Sequence, residues 1–580
     1  MTTITSTSRG RRLITAAVLA VALPATLAFA GTASAANRPA TAGTPSAPVN
    51  LFTEDFENDT AGTPVLLNDY TGAAPLDETY TADPAWLSPA QCNGLILSEQ
   101  DPPTQPAGIS CNGYWGSALL FGEAFGSWEG TDPATNHALV GYTNGDPGVN
   151  SVKLQTNTPI PLPSANRFLV IRSDDAAQNC FAAHPLDEYS VLDGATALPT
   201  SSSPIDPCAD PGAVIDGTDV GTYTGDQAVL FTGTAAGIQL VDEQGVGGGN
   251  DGAVDNIELL DATPQLDLSA TTGGIPVGET AHLTFTVTNT SELDAKDGWS
   301  FTANLPSGLT LADSSVATTC ASGTAAAGSA PGTVDVGGDL TSGQSSCTVT
   351  VDVTSIYGGT YSLCGSSITN PVGVNLPGCT SLNFVAPVFD ARANSARLTS
   401  PLLNIGPLVP SGYECKTVAG SDTNGGINAS LGTLGSLGTL DTAASGAINS
   451  ANGTRTAAAD AQTANVDLLG GLITANEVDT TAQAQQPLTS TGLGPVATAG
   501  TTTFTNLRVA GVAISANPGP NTTISLPLVG SVVLNQQTPV AGGDGITVTA
   551  LDVTLLTGTQ LTISQSTAAL LSASATCPVS

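Results

Sequence analysis

Residues 283–309, LTFTVTNTSELDAKDGWSFTANLPSGL, decide the fold class of this 580-residue chain. Apolar and threonine side chains alternate over residues 282–289, and this two-residue period predicts a strand with one buried face. A second strand is predicted to begin near Trp299 and to end in the run NLPSGL, residues 304–309. Proline cannot donate a ladder hydrogen bond and glycine permits a turn, so that run closes the strand. The stretch therefore predicts a β-sandwich module.

The TFTVTN strand and the following GWSFTANLPSGLTL run resemble the immunoglobulin-like repeats of bacterial cell-surface proteins, over roughly residues 264–380. In that family the repeats are spacers and display modules, with no known active site. The resemblance therefore implies an Ig-like β-sandwich and a surface or secreted protein. It transfers no catalytic residue.

The N-terminus has the pattern of an export signal. Three arginines precede an apolar run over residues 13–30, and the small residues 33–35 offer a cleavage site before Ala36. We interpret residues 1–35 as a signal peptide, because Pro24 interrupts a short, alanine-rich run that suits a membrane anchor poorly. The Pro/Ala/Thr-rich residues 36–49 are predicted to be a disordered linker. The mature chain is expected to have no transmembrane segment.

The charge balance excludes one class of partner. Without residues 1–35 the chain keeps ten Lys and Arg against 49 Asp and Glu, a net charge of −39. Nucleic acid is not expected to bind, because phosphate recognition needs clustered basic side chains. Only 11% of all residues are charged and 65 are glycine, which favours short strands and turns over long amphipathic helices. The expected fold class is all-β and multidomain.

Ten cysteines in an exported chain predict disulfides. They fall into groups of four, four and two, which supports three domains over residues 50–263, 264–380 and 381–580. Sequence-near pairing is one of the connectivities that these groups allow. It would join Cys92 to Cys111, Cys180 to Cys208, Cys320 to Cys347, Cys364 to Cys379, and Cys415 to Cys577.

The two ends of residues 50–263 carry strand-like segments. The opening EDFE and the closing NDGAVDNIEL resemble jelly-roll, carbohydrate-binding-like modules of secreted bacterial proteins. In such modules the first and last strands are often neighbours and a structural calcium commonly lies near them. Two interpretations stay open: the acidic residues bind calcium through oxygen ligands, or they cap a hairpin and face water. The candidate calcium ligands are Glu54, Asp55, Asn250, Asp251 and Asp255.

Three of the four tryptophans lie between those ends. Exposed aromatic rings flanked by polar side chains bind sugars, whereas buried rings form a core. Trp86, Trp115 and Trp128 are therefore candidate ligand-binding residues, with the core as the alternative. The segment 172–189 could hold an acid/base pair, although Cys180 and Pro185 are more typical of a disulfide-braced loop. Its acid and imidazole groups are Asp174, Asp175, His184, Asp187 and Glu188.

Residues 381–580 are rich in Ala, Gly, Thr and Ser, with strand candidates at 464–473, 503–514, 523–534 and 546–556. The pieces NVDLLGGLITANEV, TNLRVAGVAI, VVLNQQ and ITVTALDVTL resemble the P-type domain of the choice-of-anchor surface-protein family. The sequence ends in SASATCPVS, without the LPxTG-like signal or apolar tail of an anchored protein. We therefore expect release, or non-covalent retention at the cell surface.

No sequence motif indicates catalysis. The chain has three histidines and lacks HExxH, P-loop and Gly-x-Ser-x-Gly patterns, so no enzymatic activity is expected. The expected function is that of a secreted or surface-associated structural or adhesive protein that binds glycan or the cell envelope. The alternative is a secreted glycoside hydrolase, which needs only two carboxylates and would have its active site in residues 50–263.

Overall fold

The computed structural model describes residues 41–59, 62–143, 145–489, 492–542 and 544–572. The predicted signal peptide and Cys577 lie outside these ranges. Strands make up 56% of the structure and helices 5%, so the multidomain all-β class is confirmed. Among the helices of the described ranges, none is both long enough and apolar enough to cross a bilayer.

The first group of strands belongs to the segment predicted as 50–263. Each of its two main sheets takes strands from the whole segment, so neither is a local hairpin. Two short 3-10 turns, Leu67–Asp69 and Pro89–Gln91, join strands near the N-terminus. The strands and helix are β1 (Val49–Glu54), β2 (Val65–Leu66), β3 (Tyr80–Thr81), β4 (Asn93–Leu97), α1 (Trp115–Glu129), β5 (Ala138–Tyr142), β6 (Ser151–Thr156), β7 (Ile160–Pro161), β8 (Arg167–Gln178), β9 (Asp187–Asp193), β10 (Thr196–Pro199), β11 (Ala213–Ile215), β12 (Thr218–Thr224), β13 (Val229–Phe231), β14 (Ala235–Asp242) and β15 (Asp251–Asp261).

These strands form a sandwich of two antiparallel sheets. The first runs β11-β12-β8-β15-β5-β4-β2, with β1 beside β15, and the second runs β10-β9-β14-β6-β3. Side chains from both sheets share one apolar core, as expected when two sheets bury their inner faces against each other. The opening strand β1 pairs antiparallel with the closing strand β15. The expectation that the two ends are neighbours is thus confirmed.

Helix α1 was not anticipated. It covers the outer face of the first sheet, burying Trp115, Leu119, Phe121 and Phe125 against β4, β5 and β12. The signal was an apolar spacing of three and four residues, which the strand-favouring composition of the whole chain obscured. Gly122 permits the close approach, since a Cβ there would lie 2.4 Å from the carbonyl oxygen of Asn136.

The second group of strands belongs to the segment predicted as 264–380. Its three sheets run β16-β18-β23-β20, β17-β26-β24 and β21-β22-β19-β25, around a core that also includes Phe168 of β8. A 3-10 turn occupies Gly365–Ser367. The strands are β16 (Gln265–Ala270), β17 (Gly274–Pro276), β18 (Ala281–Thr288), β19 (Lys296–Asn304), β20 (Thr310–Thr318), β21 (Ala321–Ala327), β22 (Thr333–Leu340), β23 (Ser346–Thr354), β24 (Gly359–Leu363), β25 (Ile368–Val372) and β26 (Thr380–Val385).

Both strands predicted from residues 283–309 are present. In β18 the apolar side chains Leu283, Phe285 and Val287 are fully buried, as their alternation predicts. The second strand, β19, does not pair with β18 but lies in a different sheet. The two meet through their side chains, with the Phe285 and Phe301 ring centroids 5.2 Å apart. The run therefore crosses the sandwich from one sheet to another.

The third group of strands belongs to the segment predicted as 381–580. Two seven-stranded sheets and a two-stranded ribbon form here, with a 3-10 turn at Gly432–Leu434. The strands are β27 (Val388–Thr399), β28 (Asn404–Leu408), β29 (Ser411–Lys416), β30 (Gly420–Ser430), β31 (Gly435–Ile448), β32 (Arg455–Leu468), β33 (Ile473–Gln486), β34 (Leu488–Thr489), β35 (Gly492–Leu493), β36 (Ala497–Thr505), β37 (Arg508–Val509), β38 (Val512–Ala513), β39 (Thr522–Leu526), β40 (Gly530–Pro539), β41 (Gly545–Leu555) and β42 (Gln560–Leu571).

Of the four strand candidates in this segment, only 546–556 coincides with one strand, β41. The other three each contain a turn, because glycines with positive φ interrupt them, such as Gly470 and Gly511. The long strands β31, β32 and β33 were largely missed because their core positions are alanine, which has a low strand propensity. Small side chains let the two large sheets pack closely, through clusters such as Ala391, Ala393, Ala444, Ala459 and Ala461.

The disulfides follow the sequence-near pairing. Four bridges join Cys92 to Cys111, Cys180 to Cys208, Cys320 to Cys347, and Cys364 to Cys379. Cys415 is also disulfide-bonded, and its predicted partner Cys577 lies outside the described residues. Each bridge named here lies within one of the three groups of strands.

The prediction of a disordered linker over residues 36–49 does not hold where the structure describes it. The backbone N–H of Gly43 donates to Thr288 Oγ1 at 2.9 Å. Ser46 forms an isolated parallel bridge with Thr290, and β1 already begins at Val49. These contacts tie the chain ahead of the first sandwich to the second group of strands.

Candidate functional site

The predicted tryptophan ligand face is not formed. Trp86 is completely buried and Trp115 is 4% exposed, so both rings pack in the core. Trp128 is half-buried, and its Nε1 donates to Thr222 Oγ1 at 3.0 Å. The physical reason is that apolar side chains surround these rings, so burying them removes apolar surface from water. The sequence spacing does not show which apolar side chains become their neighbours. Other aromatic residues of the same segment take the exposed positions.

Tyr114, Tyr142 and Phe181 line a pocket of about 290 Å³ at one end of the first sheet. We call it the aromatic pocket. The Tyr114 ring is 53% exposed and the Phe181 ring 88% exposed. Tyr114 stacks on the buried Tyr142, with ring centroids 5.7 Å apart and 20° between the planes. A ligand that covers these exposed rings removes apolar surface from water, which favours binding.

Polar groups converge on the same pocket. Asn179 Nδ2 donates to the Tyr142 hydroxyl at 2.9 Å and to Asp251 Oδ2 at 2.6 Å. Burial raises the pKa of Asp251 to about 6. Asn112 and Thr143 also line the cavity. The arrangement combines stacking faces with fixed hydrogen-bonding groups, which is the chemistry that recognises a polyhydroxylated ligand.

Two disulfides hold the aromatic loops. Cys111 precedes Tyr114 by three residues and bonds to Cys92, which lies next to β4. Cys180 directly precedes Phe181 and bonds to Cys208. Ordering these short loops before binding lowers the entropy lost on binding. The sequence signal for the site was therefore an aromatic residue close to a cysteine, not the tryptophans.

The five predicted calcium ligands do not converge. Glu54 turns into the sandwich core, where the hydroxyls of Tyr70 and Tyr80 donate to its carboxylate. Asp251 and Asp255 are four residues apart on β15, which separates them by about 13 Å. Asn250 Nδ2 donates to Asp242 Oδ2 at 2.9 Å. A single site containing all five is thus excluded by strand geometry.

Asp55 and Asp255 do share a cavity. This acidic cleft, of about 280 Å³, lies beside the C-terminal end of α1 and also contains Glu57, Glu129 and Asp132. Asp255 is buried and accepts hydrogen bonds from Asn136 Nδ2 at 2.8 Å and from the Asn256 N–H at 2.7 Å. The oxygen donor set is one that suits a hard cation such as calcium.

Burial, and then repulsion between carboxylates, raises the pKa values of two acids in the acidic cleft. Burial, together with the Asp174 carboxylate, raises the pKa of Glu129 to about 7. Burial and then Glu129 raise the pKa of Asp255 well above its ordinary range. The cleft therefore binds protons in the folded state that the unfolded chain would release.

We expect the free energy of unfolding of Glu129→Gln to fall less with rising pH than that of the wild type. The Glu129 pKa is raised from 4.5 to about 7 on folding, so its contribution is complete below 4.5 and is lost as pH rises through 7. Between about pH 5 and about pH 8 the wild type should lose about 1–2 kcal/mol more than the variant, a value reduced because Glu129 is partly exposed. Denaturant unfolding at both pH values measures this.

Glu99→Gln is the matched control, since Glu99 is an exposed carboxylate of the same segment outside the cleft. It should keep a steeper pH dependence of stability than Glu129→Gln. Equal slopes for the wild type and Glu129→Gln would refute the assignment of the raised pKa to this cleft.

Residues 264–381 match a family model described as a domain of unknown function, DUF7933. This range contains the second group of strands up to the start of β26, and it includes none of the residues that line the aromatic pocket or the acidic cleft. A search of curated proteins found no match for the chain.

Proposed function

We propose that this chain is a secreted or cell-surface-associated, non-enzymatic structural and adhesive protein of a bacterium, with a carbohydrate-binding site in the aromatic pocket. The remaining two groups of strands would serve as Ig-like and choice-of-anchor modules that present the binding segment. The disulfides are compatible with an oxidising compartment outside the cytoplasm. The partner would be a glycan or the cell envelope.

The observation that carries the proposal is the exposure of two aromatic rings at one polar pocket. Phe181, at 88% exposure, is far more accessible than an unliganded fold requires. A sugar ring has an apolar face of C–H groups that can cover such a ring, while its hydroxyls meet Asn179 and Asp251. The proposal therefore assigns stacking to Tyr114 and Phe181 and orientation to the polar pair.

We expect Tyr114→Ala and Phe181→Ala each to weaken glycan binding about two- to tenfold, because stacking on an aromatic ring contributes roughly 0.5–1.5 kcal/mol. A glycan array probed with the full chain, followed by calorimetry with the best glycan, measures this. Tyr357→Ala is the control, since Tyr357 is a partly exposed aromatic residue of the second group of strands. Binding that survives both pocket substitutions, or no glycan binding at all, would contradict the proposal.

The acidic cleft supports the alternative function, a glycoside hydrolase. Glu129 has the raised pKa of a general acid, and Asp255 and Asp55 are further carboxylates in the same cavity. Release of reducing sugar by the wild type, abolished in Glu129→Gln and retained in Phe181→Ala, would favour this alternative. Binding without release would favour adhesion.

Calcium remains a proposal for the acidic cleft, with Asp55 and Asp255 as the ligands kept from the predicted set. A cation there would favour deprotonated carboxylates, so calcium should raise the melting temperature more at about pH 8 than at about pH 5. Asp255→Asn should remove the effect. A melting temperature unchanged by calcium or chelator at both pH values would leave the cleft as a solvated acidic surface.

A further inference from the structure

The lysines of this chain are placed unusually. The sequence has three, and two of them, Lys153 and Lys296, are 3% and 0% exposed. Only Lys416 lies at the surface. Burying an ammonium group costs several kcal/mol unless carboxylates compensate it. The surroundings of each buried amine therefore require an explanation.

Lys153 reaches a carboxylate on another strand. Its side chain leaves β6, and Nζ lies 2.8 Å and 3.0 Å from the two carboxylate oxygens of Asp187 at the start of β9. Strands β6 and β9 lie on opposite sides of β14 in the second sheet. The Lys153 side chain thus crosses β14. The side chains of both partners are almost inaccessible to water, at 3% and 1% exposure.

Two further acids lie in the same dry space. Asp175 projects from β8 of the opposite sheet, is completely buried, and accepts hydrogen bonds from Ser173 Oγ and from the Tyr189 hydroxyl. Asp242 at the end of β14 is also completely buried. Lys153 is hydrogen-bonded to Asp187 and interacts electrostatically with Asp175 and Asp242. With all four groups ionised the cluster would carry an uncompensated charge of about −2, so at least one acid must keep its proton.

The proton is held mainly by Asp175. Burial, followed by repulsion from Asp187, raises the pKa of Asp175 far above its usual range. Burial also raises the pKa of Asp187, against the opposing effect of Lys153. Burial alone would lower the pKa of Lys153, but Asp187 and Asp242 outweigh it and raise the pKa. The raised pKa keeps Lys153 mainly as the ammonium ion, and transfer of one proton along the Lys153–Asp187 hydrogen bond gives the neutral amine and neutral acid that can react.

We propose that Lys153 and Asp187 condense into an intramolecular amide bond that joins β6 to β9. The Nζ lone pair attacks Cγ of protonated Asp187, a C–N bond forms, and one C–O bond breaks. Asp175 donates its proton to the departing oxygen, which leaves as water, and takes one proton back from Nζ. The step needs no oxidant, cofactor or second enzyme. The water released by the reaction leaves the cluster, and bulk water does not enter it. Both effects favour the amide over the separate acid and amine.

The bond would close a loop of 34 residues within the second sheet and, unlike the disulfides, would resist reduction. It would stabilise the sandwich by lowering the conformational entropy of the unfolded chain, as other cross-links do. The Lys296 pair does not have the same consequence. Lys296 Nζ lies 2.8 Å from Oε1 of Glu292, which is only four residues away in the sequence. A bond there would close a very short loop and would not join two distant strands.

The test is mass spectrometry of the purified full chain after reduction. We expect a mass lower than the sequence mass by one water, and a branched tryptic peptide that joins Lys153 to Asp187 with no cleavage after Lys153. Asp187→Ala and Lys153→Met should each restore the unmodified mass. Asp175→Asn should give an unmodified mass at first, with slow or no loss of water. Lys296→Met should keep the cross-link.

The wild-type measurement decides the question even where a variant fails to fold. Tryptic cleavage after Lys153 together with an unmodified Asp187 peptide would overturn the proposal and leave the pair as a buried salt bridge. A loss of water that maps to Lys296 would overturn it equally. Glycan binding in the aromatic pocket is a separate property, so neither outcome depends on the proposed function.

Discussion

Replacing Arg167 by methionine should lower the free energy of unfolding by about 3–5 kcal/mol, because it leaves a buried carboxylate without its counter-charge. Arg167 is 8% exposed and Asp261 is 3% exposed. Nε donates to Asp261 Oδ2 at 2.9 Å and Nη2 donates to the same oxygen. Nη1 donates to Asn375 Oδ1 at 2.8 Å, which links the first sandwich to the second group of strands. Denaturant unfolding of the full chain measures the loss.

The same pair of strands provides a matched control. Arg172 also lies on β8 and bonds a β15 carboxylate, Glu258, but its side chain is 44% exposed. Because water screens an exposed ion pair, Arg172→Met should cost only about 0–1 kcal/mol. Adding Asp261→Leu to Arg167→Met should recover part of the loss, since no unpaired charge then stays buried. Equal losses for the two arginine variants would refute the role assigned to burial.

Trp86→Ala should destabilise the first sandwich by about 3–5 kcal/mol, because it leaves a cavity in a closely packed core. The indole is completely buried among side chains of both sheets. The ring also lies against two glycines. A Cβ atom placed on Gly94 would be 3.2 Å from the ring, and one placed on Gly141 would be 3.0 Å from it. Calorimetric melting of the full chain, compared with the wild type, measures the effect.

Phe181→Ala is the opposite case and serves as the control. A side chain that is 88% exposed gives up little packing, so we expect a change within about 0.5 kcal/mol. The two variants thus separate core from binding surface. If Trp86→Ala kept its stability and lost glycan binding, the tryptophan would be a ligand residue and the aromatic pocket would lose its support.

Several features could be predicted from sequence because they depend on local pattern. Strand β18 follows from strict alternation, and the end of β19 follows from Pro306 and Gly308. The four disulfides within the groups of strands have the sequence-near pairing, which closes short loops and is one of the connectivities that the sequence allows. The pairing of β1 with β15 was implied by the resemblance of the two ends to a jelly roll.

Other features could not be predicted because they depend on which residues share a neighbourhood. Trp86 and Tyr114 are both aromatic residues of one segment, yet one is fully buried and the other half exposed. Asp55 and Asp255 share a cleft, whereas Glu54, one residue away from Asp55, points to the opposite face of its strand. No periodicity in the sequence reports these differences.

The sequence by itself determined the all-β class and the strand of residues 282–289, because these follow from composition and short-range spacing. It allowed several disulfide pairings, and the structure has the sequence-near one. Only the tertiary structure decided which aromatic rings reach the surface, which acids share a cleft, and that Lys153 meets Asp187 and Asp175. Those contacts join β6, β8 and β9, which β14 and the sandwich interior bring together. The reason is physical: burial and pKa depend on the whole set of neighbours that folding assembles, and these neighbours come from strands far apart in the chain.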